Sequence, residues 1–332
     1  MDLRPFMRTL ELEAALPPSA GQELEYRFDE PMAAHTTFRV GGPADLWVRP
    51  RGESFPALAG LLLRRAAEEG IPLFILGGGA NLLVSDRGIR GIVLDTGGWT
   101  GAERVGEGLY VKSGTSVEKL TAYAADAGLS GLEFLAGMPG TLGGAVWMNA
   151  RCYERSLSDI LAETETLGLY GGNVEIRRIR RYPGDFGYKA SPFQDRGELI
   201  LGASLVLDPG NTEKIRLDMA ACVRDREQKG HYRFPSAGSA FKNNRDFGKP
   251  TGQIIDEAGL KGFRVGGAQV APWHGNLVIN TGGARAADIR SVLEQVAARV
   301  KAERGLDLER EVLLAGDWEQ HDPFDITLKG CL

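Results

Sequence analysis

The spacing of apolar and polar residues along this chain predicts alternating strands and helices in consecutive units. Residues 46–48 and 72–76 have the short apolar runs of buried strands, and residues 55–69 between them form an amphipathic helix. This β-α-β opening predicts a first unit over residues 22–97. We expect residues 1–21 to be a loosely ordered N-terminal extension.

A second unit, residues 98–208, is predicted to combine a helix with a sheet. A capping-box pattern over residues 115–118 starts the helix, and Gly128 ends it. The buried face of this helix is expected to carry Leu120, Tyr123, Ala124 and Ala127. The strands are expected near residues 109–112, 160–169, 173–180 and 198–207.

Residues 209–316 are predicted to form a third unit, with a tail over residues 317–332. A helix over residues 212–229 opens this unit, and one stripe of it faces a core. The stripe consists of Ile215, Met219, Cys222 and Val223. The remaining elements are helices over residues 250–258 and 286–304, a strand at residues 277–280 and a last strand at residues 311–315.

Charge limits the partners that this chain could bind. With 332 residues and a formal net charge of −5, it is not typical of a nucleic-acid-binding protein. Its basic cluster, residues 177–181, follows Glu175 on a predicted strand, and a solvated hairpin face explains it better than a nucleic-acid patch. We therefore expect anionic ligands to be bound by individually placed residues.

Cysteine and histidine usage predicts neither a disulfide framework nor a metal site. The cysteines are odd in number and far apart, and the histidines form no metal-binding motif, so most histidines are expected in loops or on the surface. These residues are Cys152, Cys222, Cys331, His35, His231, His274 and His321. Charges in the first 20 residues argue against a signal peptide, and the apolar run over residues 55–63 is too short to span a membrane. We expect a soluble cytoplasmic protein without membrane insertion.

Three glycine-containing segments carry the candidate chemistry. Residues 136–145 contain four glycines, a density that lets main-chain N–H groups approach a diphosphate. Residues 76–83 follow a predicted strand but are not a Rossmann fingerprint, because position 82 is leucine where a third glycine is required. In residues 235–244, Ser239 follows a glycine and precedes a lysine and two asparagines. This crowding of polar groups indicates a binding site rather than a core segment.

In order and spacing, the three segments resemble those of the MurB family, the UDP-N-acetylenolpyruvoylglucosamine reductases of peptidoglycan synthesis. The resemblance covers nearly the whole chain after the N-terminal extension. Further matching segments lie at residues 36–44, 186–193, 262–270, 274–276 and 309–312. The short interval between residues 186–193 and the serine segment resembles the family branch that lacks an extra substrate-covering tyrosine loop.

The resemblance implies an α+β fold with a two-lobed FAD-binding domain of the VAO/PCMH type and a C-terminal α+β substrate-binding domain. It implies that UDP-N-acetylglucosamine enolpyruvate is reduced to UDP-N-acetylmuramate, with non-covalent FAD and with NADPH as the hydride donor. It also allows the last strand to return to the first unit, as the C-terminus of the family does.

By the same resemblance, the two glycine loops bind the FAD pyrophosphate, and an earlier turn supports them. The implied contacts are Gly77, Gly78, Gly79, Ala80, Asn81, Leu82, Gly140, Thr141, Gly143 and Gly144, with Arg39, Val40, Gly41 and Gly42 in the supporting turn. A tight crossover between strands would explain one or two glycines of residues 136–145, but not all four. Trp147 could stack on an aromatic ring, although core packing is the simpler explanation.

The resemblance also assigns the catalytic residues. Ser239 is the implied proton donor to the α-carbon after hydride has reached the vinyl carbon. Glu311 matches the acidic residue near the same intermediate, and Lys189 occupies the position of the cation that faces its oxygens. The structural alternatives are an ordinary turn serine for Ser239 and a strand-edge ion pair with Arg310 for Glu311.

Three positions depart from the family pattern. Lys189 stands where the family usually has arginine, so it supplies a point charge instead of a planar fork. Leu313 stands where arginine is common, and Asn244 where proline usually ends the serine motif. For the substrate diphosphate the candidates are Lys229 and Asn243, with Lys242 and Asn276 weaker.

Two other functions are open at the level of the sequence. The first is a different flavin oxidoreductase on the same fold, such as an oxidase of hydroxy acids or sugars, which substrate tests would separate. The second is a non-catalytic paralogue that binds flavin or a UDP-sugar, which turnover measurements would separate. The sequence pattern does not predict an oligomeric state.

Overall fold

The computed structural model describes residues 1–14 and 23–319. The helices are α1 (Arg4–Glu13), α2 (Phe55–Glu68), α3 (Val117–Asp126), α4 (Leu142–Trp147), α5 (Thr212–Gln228), α6 (Thr251–Glu257) and α7 (Ala286–Arg304). The strands are β1 (Leu24–Pro31), β2 (Pro43–Pro50), β3 (Leu73–Leu76), β4 (Leu82–Val84), β5 (Ile89–Asp95), β6 (Ala102–Val105), β7 (Gly108–Lys112), β8 (Leu129–Ser130), β9 (Arg151–Cys152), β10 (Arg155–Ser156), β11 (Leu161–Tyr170), β12 (Asn173–Arg180), β13 (Leu199–Val206), β14 (Asp208–Pro209), β15 (Arg264–Val265), β16 (Ala268–Val270), β17 (Val278–Asn280) and β18 (Leu313–Ala315). The predicted tail from residue 320 onward, with His321 and Cys331, lies outside the described residues.

The first unit is built on a four-stranded sheet with the order β1-β2-β5-β3. β1 is antiparallel to β2, whereas β2 and β3 both run parallel to β5. The amphipathic helix predicted here is confirmed as α2, which buries Leu58, Leu62 and Leu63. Edge strand β3 ends at Leu76, so the sheet places the first glycine loop directly at its edge.

The N-terminal extension is folded over residues 1–14, which corrects the expectation of a loosely ordered segment. α1 and the residue before it bury Leu3, Phe6, Met7 and Leu10 in the same core as α2. These positions follow the i, i+3, i+4, i+7 spacing that places side chains on one helical face. Each such burial stabilises the fold by about 1.5–3 kcal/mol, which explains why the segment is docked.

The second unit contains a five-stranded antiparallel sheet with the order β12-β11-β13-β7-β6, and its predicted strands are confirmed. β12 is an exposed edge strand. Its Arg177 pairs with Glu175, and Arg178 pairs with Glu165 on β11. The basic cluster is therefore a solvated hairpin face, as predicted.

The start and the buried face of α3 differ from the prediction. Ser116 is the N-cap, and its hydroxyl accepts a hydrogen bond from the first turn. Thr115, which the capping box would have used, exchanges hydrogen bonds with the backbone of Gly101 instead. The helix packs so that Thr121 is buried and Tyr123 is exposed, which corrects the predicted face at Tyr123.

α5 packs on the second unit, which differs from the prediction that it opens the third. It contacts α3, β8 and the 3₁₀ turn Glu133–Leu135. Ile215 is the fully buried residue of the predicted stripe, and the other three members are only partly buried. Near the end of α5, the guanidinium of Arg226 donates a hydrogen bond to the carbonyl of Gly137 at 3.1 Å. The helix therefore connects the second unit to the second glycine loop.

The remaining unit centres on the antiparallel sheet β15-β16-β17, against which α6 and α7 pack. Its core is continuous with Phe38 and Leu83 of the first unit. β18 runs parallel to β4 of the first unit, with Leu313 opposite Leu82. The chain thus returns to the first unit immediately after Glu311, which places this residue at the junction of the units.

α7 is the longest helix of the described residues, and charged side chains occur along its whole length. Within residues 1–14 and 23–319, no helix combines the length and the apolar character needed to cross a bilayer.

Candidate active site

A cavity of about 420 Å³ lies where the units meet. Its wall includes both glycine loops, the end of α5, the turn around Lys189 and the serine segment, together with Glu311 before β18. Elements that are distant in sequence therefore converge on one space that is large enough for part of a dinucleotide and a substrate.

The two glycine loops contact each other backbone to backbone. A Cβ atom added at Gly78 would lie 2.7 Å from the Cα of Gly140, and one added at Gly77 would lie 2.8 Å from Oγ1 of Thr141. Both distances are shorter than real Cβ contacts, so a larger residue would push the loops apart. Packing between the loops therefore explains these two glycines of the first loop.

The cavity side of the loops fits FAD. Cβ atoms added at Gly140 and Gly144 would have their nearest neighbours at 3.5 and 3.7 Å, which are ordinary contact distances, and both glycines line the cavity. The N–H groups of Gly78, Gly140 and Thr141 donate no hydrogen bond to any described residue, and the buried hydroxyl of Ser113 on the same wall has no partner there. Unpaired donors along an open glycine surface suit the pyrophosphate of a dinucleotide.

The structure separates the predicted flavin contacts into two groups. Residues on the cavity wall are Gly77, Gly78, Gly79, Ala80, Asn81, Leu82, Gly140, Thr141, Gly143 and Gly144. Residues of the supporting turn that are not on this wall are Arg39, Val40, Gly41 and Gly42. Val40 is buried in a protein core, and a Cβ atom at Gly42 would lie 2.1 Å from the carbonyl oxygen of Asp86. Internal packing accounts for Val40 and Gly42, and the flavin contacts of the turn stay a prediction.

The two charged residues predicted for catalysis form an ion pair on the cavity wall. The Nζ atom of Lys189 lies 2.6 Å from Oε1 of Glu311, and the two side chains are only 15% and 10% exposed. Glu311 is thus in an ion pair, as its structural alternative expected, but its partner is the other predicted catalytic residue. A charge pair this well shielded from water has a stronger interaction than a surface pair.

A tight turn holds Lys189 in this position. Gly187 and Ala190 exchange both backbone hydrogen bonds, and Lys189 between them has a φ angle of 56°. This left-handed conformation costs a non-glycine residue roughly 1–2 kcal/mol. The side-chain amides of Asn149 and Gln194 donate hydrogen bonds to the carbonyls of Gly187 and Lys189. These contacts hold the strained backbone that directs the ammonium group into the cavity.

Ser239 lies on the same wall, in a short extended segment beside Leu277. It follows Gly238, whose φ angle of 73° favours glycine. The Ser239 hydroxyl makes no hydrogen bond with any described residue. The carbonyl of the next residue, Ala240, accepts the N–H of Glu311 at 2.9 Å. The serine and the glutamate are therefore carried by adjacent backbone segments.

The four predicted substrate contacts, Lys229, Lys242, Asn243 and Asn276, are not on the cavity wall. Asn276 is buried, and its amide accepts the N–H of Phe241 at 2.9 Å and donates to the Phe241 carbonyl at 2.8 Å. Both ends of the amide bond the Phe241 backbone, so Asn276 holds the serine segment in place, and its role as a substrate contact stays a prediction. Lys242 pairs with Glu309, and Asn243 accepts the first N–H of α6.

The cavity wall also carries side chains that the sequence analysis did not assign: Arg151, Arg226 and His231. His231 lies in the turn after α5, as expected for a loop residue, and it is half-buried there. Burial, followed by the charge of Arg226, lowers the pKa of its imidazole to about 4. Lys229 is close by and pairs with Asp225. A signal existed, because three basic residues, Arg226, Lys229 and His231, fall within six positions at the end of a predicted helix.

The fold and the site define a class of protein. A dinucleotide site lined by backbone between two lobes, bordered by a cation, a carboxylate and a hydroxyl, is the arrangement of a flavin-dependent oxidoreductase of the vanillyl-alcohol oxidase fold. The family model described as "FAD binding domain" matches residues 61–174. The model described as "UDP-N-acetylenolpyruvoylglucosamine reductase, C-terminal domain" matches residues 229–315.

Whole-chain relatives identify the family. The UDP-N-acetylenolpyruvoylglucosamine reductase of Treponema denticola is 42% identical, covering 90% of this chain and 95% of the relative, and that of Treponema pallidum is 40% identical, covering 88% and 94%. The crystal structure of MurB from Thermus caldophilus is 35% identical, with a TM-score of 0.71, and covers 88% of this chain and 98% of that chain. This chain belongs to the MurB family of UDP-N-acetylenolpyruvoylglucosamine reductases, and the resemblance is confirmed.

Proposed function

We propose that this chain reduces UDP-N-acetylglucosamine enolpyruvate to UDP-N-acetylmuramate with FAD and NADPH, and that Ser239, Lys189 and Glu311 are its catalytic residues. The observation that carries the proposal is that these three residues share one cavity wall with both glycine loops. Family membership supports the substrate and the cofactors, and the geometry supports the residues.

The glycine loops are proposed to hold the FAD pyrophosphate through the unpaired N–H groups of residues 78–81 and 140–141. The chemistry that FAD supplies when bound is hydride transfer from NADPH to the vinyl carbon of the substrate. The residues of this chain must then stabilise negative charge that develops on the α-carbon and its carboxylate, and must deliver a proton.

Lys189 is proposed to stabilise that charge. A preorganised cation in a site shielded from water stabilises developing negative charge more than one in bulk water, because it needs no reorganisation. Glu311 neutralises the ammonium group at 2.6 Å before the substrate is present. We propose that Glu311 holds Lys189 in place and that the substrate carboxylate then shares the same ammonium. As an alternative role, we propose that the carboxylate of Glu311 relays a proton.

Ser239 is proposed to protonate the α-carbon. Its hydroxyl has no acceptor or donor among the described residues, so it is available to a ligand in the cavity. A serine hydroxyl is a weak acid, and a nearby ammonium group favours the alkoxide that remains after proton transfer. Lys189 on the same wall is therefore proposed to assist both the stabilisation of the developing negative charge and the proton transfer from Ser239.

The wider assignments follow from this proposal. Residues 22–97 and 98–208 are proposed as the two flavin lobes and residues 209–316 as the substrate domain, with α5 docked on the second lobe. Free thiols at Cys152 and Cys222 suit a reducing compartment, and we place the reaction in the cytoplasm. No observation favours a different oxidase or a non-catalytic paralogue.

The decisive experiment is an anaerobic half-reaction. Enzyme bleached with one equivalent of NADPH should regain its yellow colour when UDP-N-acetylglucosamine enolpyruvate is added, and UDP-N-acetylmuramate should form in equal amount. UDP-N-acetylglucosamine, which lacks the enolpyruvyl group, is the control ligand and should leave the flavin bleached. Enzyme that stays bleached with the full substrate would contradict the proposal.

A further inference from the structure

The backbone of Glu311 is held from two sides. Its N–H donates to the carbonyl of Ala240 in the serine segment at 2.9 Å. Its carbonyl accepts a hydrogen bond from Nδ2 of Asn81, in the first glycine loop, also at 2.9 Å. The carbonyl of Asn81 in turn accepts the N–H of Leu313 at 3.0 Å. One residue of the first glycine loop therefore bonds the main chain on both sides of Val312.

The side chain of Asn81 contacts protein groups. Its amide nitrogen has two hydrogens, and each has an acceptor within reach. One acceptor is the carbonyl of Glu311, and the other, weaker one is Sδ of Met148 at 3.7 Å. The proposed contact of residue 81 with the FAD pyrophosphate needs only the backbone N–H, which almost any residue supplies. The contact with Glu311 is what requires an amide side chain at this position.

Met148 extends the contact to the turn that carries Lys189. Its Sδ atom lies 4.0 Å from Nε2 of Gln194. The same nitrogen of Gln194 lies 3.2 Å from the carbonyl of Lys189 and 3.0 Å from that of Trp147. The thioether therefore packs between two amides, one of which bonds the backbone of Glu311 and the other the backbone of Lys189.

The linking side chains, Asn81, Met148 and Gln194, line the same cavity as the ion pair and carry no charge. A charged side chain here would compete for Lys189 or Glu311, whose side chains lie 2.6 Å apart and are only 15% and 10% exposed. Neutral amides that donate to main-chain carbonyls hold the backbone without disturbing this pair. Hydrogen bonds at a site shielded from water are also stronger than exposed ones.

We infer that the side chain of Asn81 is a positioning group that couples the first glycine loop to the Lys189–Glu311 pair, and that Met148 and Gln194 extend the coupling to Lys189. The inference rests on the proposed function, in which this loop holds FAD and the pair acts on the substrate. A loop fixed by FAD fixes Asn81, and Asn81 fixes the carbonyl of Glu311. The pair is therefore correctly placed for the substrate when the cofactor is bound.

Hydrogen exchange tests the coupling without turnover. FAD is added to the flavin-free full chain, and exchange is followed by mass spectrometry in a peptide that contains residues 308–315. In this peptide the N–H groups of Glu311 and Leu313 donate to Ala240 and Asn81, and FAD should slow their exchange several-fold. In Asn81→Ala the slowing should be much smaller. The control Asn173→Ala, at the exposed start of β12, should respond to FAD as the parent does.

The two half-reactions test the consequence for catalysis. Asn81→Ala should slow flavin reoxidation by UDP-N-acetylglucosamine enolpyruvate about tenfold more than it slows flavin reduction by NADPH, the scale of one hydrogen bond. In a Glu311→Ala background the same substitution should slow reoxidation by less than about twofold, because no carboxylate is left to position. Equal slowing in both backgrounds would show that Asn81 does not act through Glu311.

A second variant leaves the first glycine loop untouched and decides the matter if Asn81→Ala does not load flavin. Gln194→Met replaces the other amide with an apolar side chain of similar size. It should slow reoxidation several-fold in the parent and hardly at all in a Lys189→Ala background. A several-fold effect in both backgrounds, or in neither, would contradict the coupling to Lys189.

The inference and the proposed function fail in different ways. If the parent never recolours with the enolpyruvyl substrate, the proposed reaction fails, and hydrogen exchange still decides the coupling. If the parent recolours but FAD leaves exchange at Glu311 and Leu313 unchanged, only the inference fails. It also fails if Asn81→Ala responds to FAD as the parent does.

Discussion

The two glycine loops and the basic residues at the end of α5, Arg226 and His231, line the same cavity. The loops contribute backbone groups to it, whereas the end of α5 contributes side chains. The loops present backbone N–H groups, and Gly77 and Gly78 lack side chains because an added Cβ atom would collide with the facing loop. Arg226 and His231 present side chains from the end of α5 and the turn after it. A site made of backbone is recognisable from its glycines, whereas a site made of side chains depends on where the helix docks.

The largest expected effect tests the backbone-built part. Gly144→Val should weaken FAD binding by roughly 10²-fold or more, because its side chain would fill the cavity at a cost of a few kcal/mol. The protein itself leaves room there, since the nearest atom to an added Cβ is at 3.7 Å. Flavin absorbance per protein measures the result, and Gly171→Asn in an exposed turn is the control. Normal flavin content in Gly144→Val would refute the assignment.

Gly143 is a less informative position than Gly144. A Cβ atom there would lie 2.9 Å from the Cβ of Ser113, so a larger residue would disturb the protein before it met a cofactor. Gly143→Val should therefore lower the thermal midpoint, and loss of flavin in this variant alone would not identify a cofactor contact.

Ser239→Ala should slow flavin reoxidation by substrate by roughly 10²–10⁴-fold, the range for loss of one general acid. Flavin reduction by NADPH should be nearly unchanged, because no proton from this residue is needed there. Anaerobic stopped-flow absorbance separates the two half-reactions. Ser236→Ala in the same segment is the matched control, since Ser236 is not on the cavity wall. Equal slowing of both half-reactions in Ser239→Ala would point to a structural defect.

Lys189→Ala should slow reoxidation by roughly 10²–10³-fold, the scale for loss of one preorganised electrostatic group. Glu311→Gln should slow the same half-reaction. Because the two side chains form one ion pair, the double variant should be faster than the product of the single effects predicts. Lys189→Arg should retain activity through its charge. Strictly multiplicative effects would show that the pair does not act as a unit.

Asn276→Ala should reduce stability rather than substrate affinity. It would leave the N–H and the carbonyl of Phe241 unpaired in a buried segment, at a cost of about 1–3 kcal/mol for each group. Denaturant unfolding should show this loss, and the control Asn173→Ala at the exposed start of β12 should not. A higher KM for the UDP-sugar with unchanged stability would restore Asn276 as a substrate contact.

The smallest expected effect concerns acid stability. Below its ordinary pKa of 6.5, His231 takes up a proton in the unfolded chain, whereas in the folded protein its pKa is about 4. The unfolded state therefore binds more protons between these values, and stability falls as the pH drops from 6.5 towards 4. His231→Asn should show a shallower fall of the thermal midpoint in this window. A fall identical to that of the parent would contradict the shielded environment of His231.

The prediction from sequence was reliable where local spacing and burial agree. The strands of the second unit, the helices α2 and α7 and the exposed hairpin at β12 are confirmed, because each follows from a repeat of apolar residues that one element buries. The same rule would have identified α1, since Leu3, Phe6, Met7 and Leu10 have helical spacing. The expectation of a loose extension is wrong there, because absence of a family match does not cancel an amphipathic repeat.

The sequence alone determined the family and located the two glycine loops, and it predicted Ser239, Lys189 and Glu311 as catalytic residues. Only the tertiary structure decided that Lys189 and Glu311 form one ion pair. It also decided that the side-chain amide of Asn276 bonds the backbone of Phe241. Finally, it decided that α5 brings Arg226 and His231 to the cavity. Glycine patterns can be interpreted locally, because glycine is required where the backbone turns sharply or approaches another group closely. Pairings between side chains depend on contacts between residues far apart in sequence, and those exist only after the units have packed together.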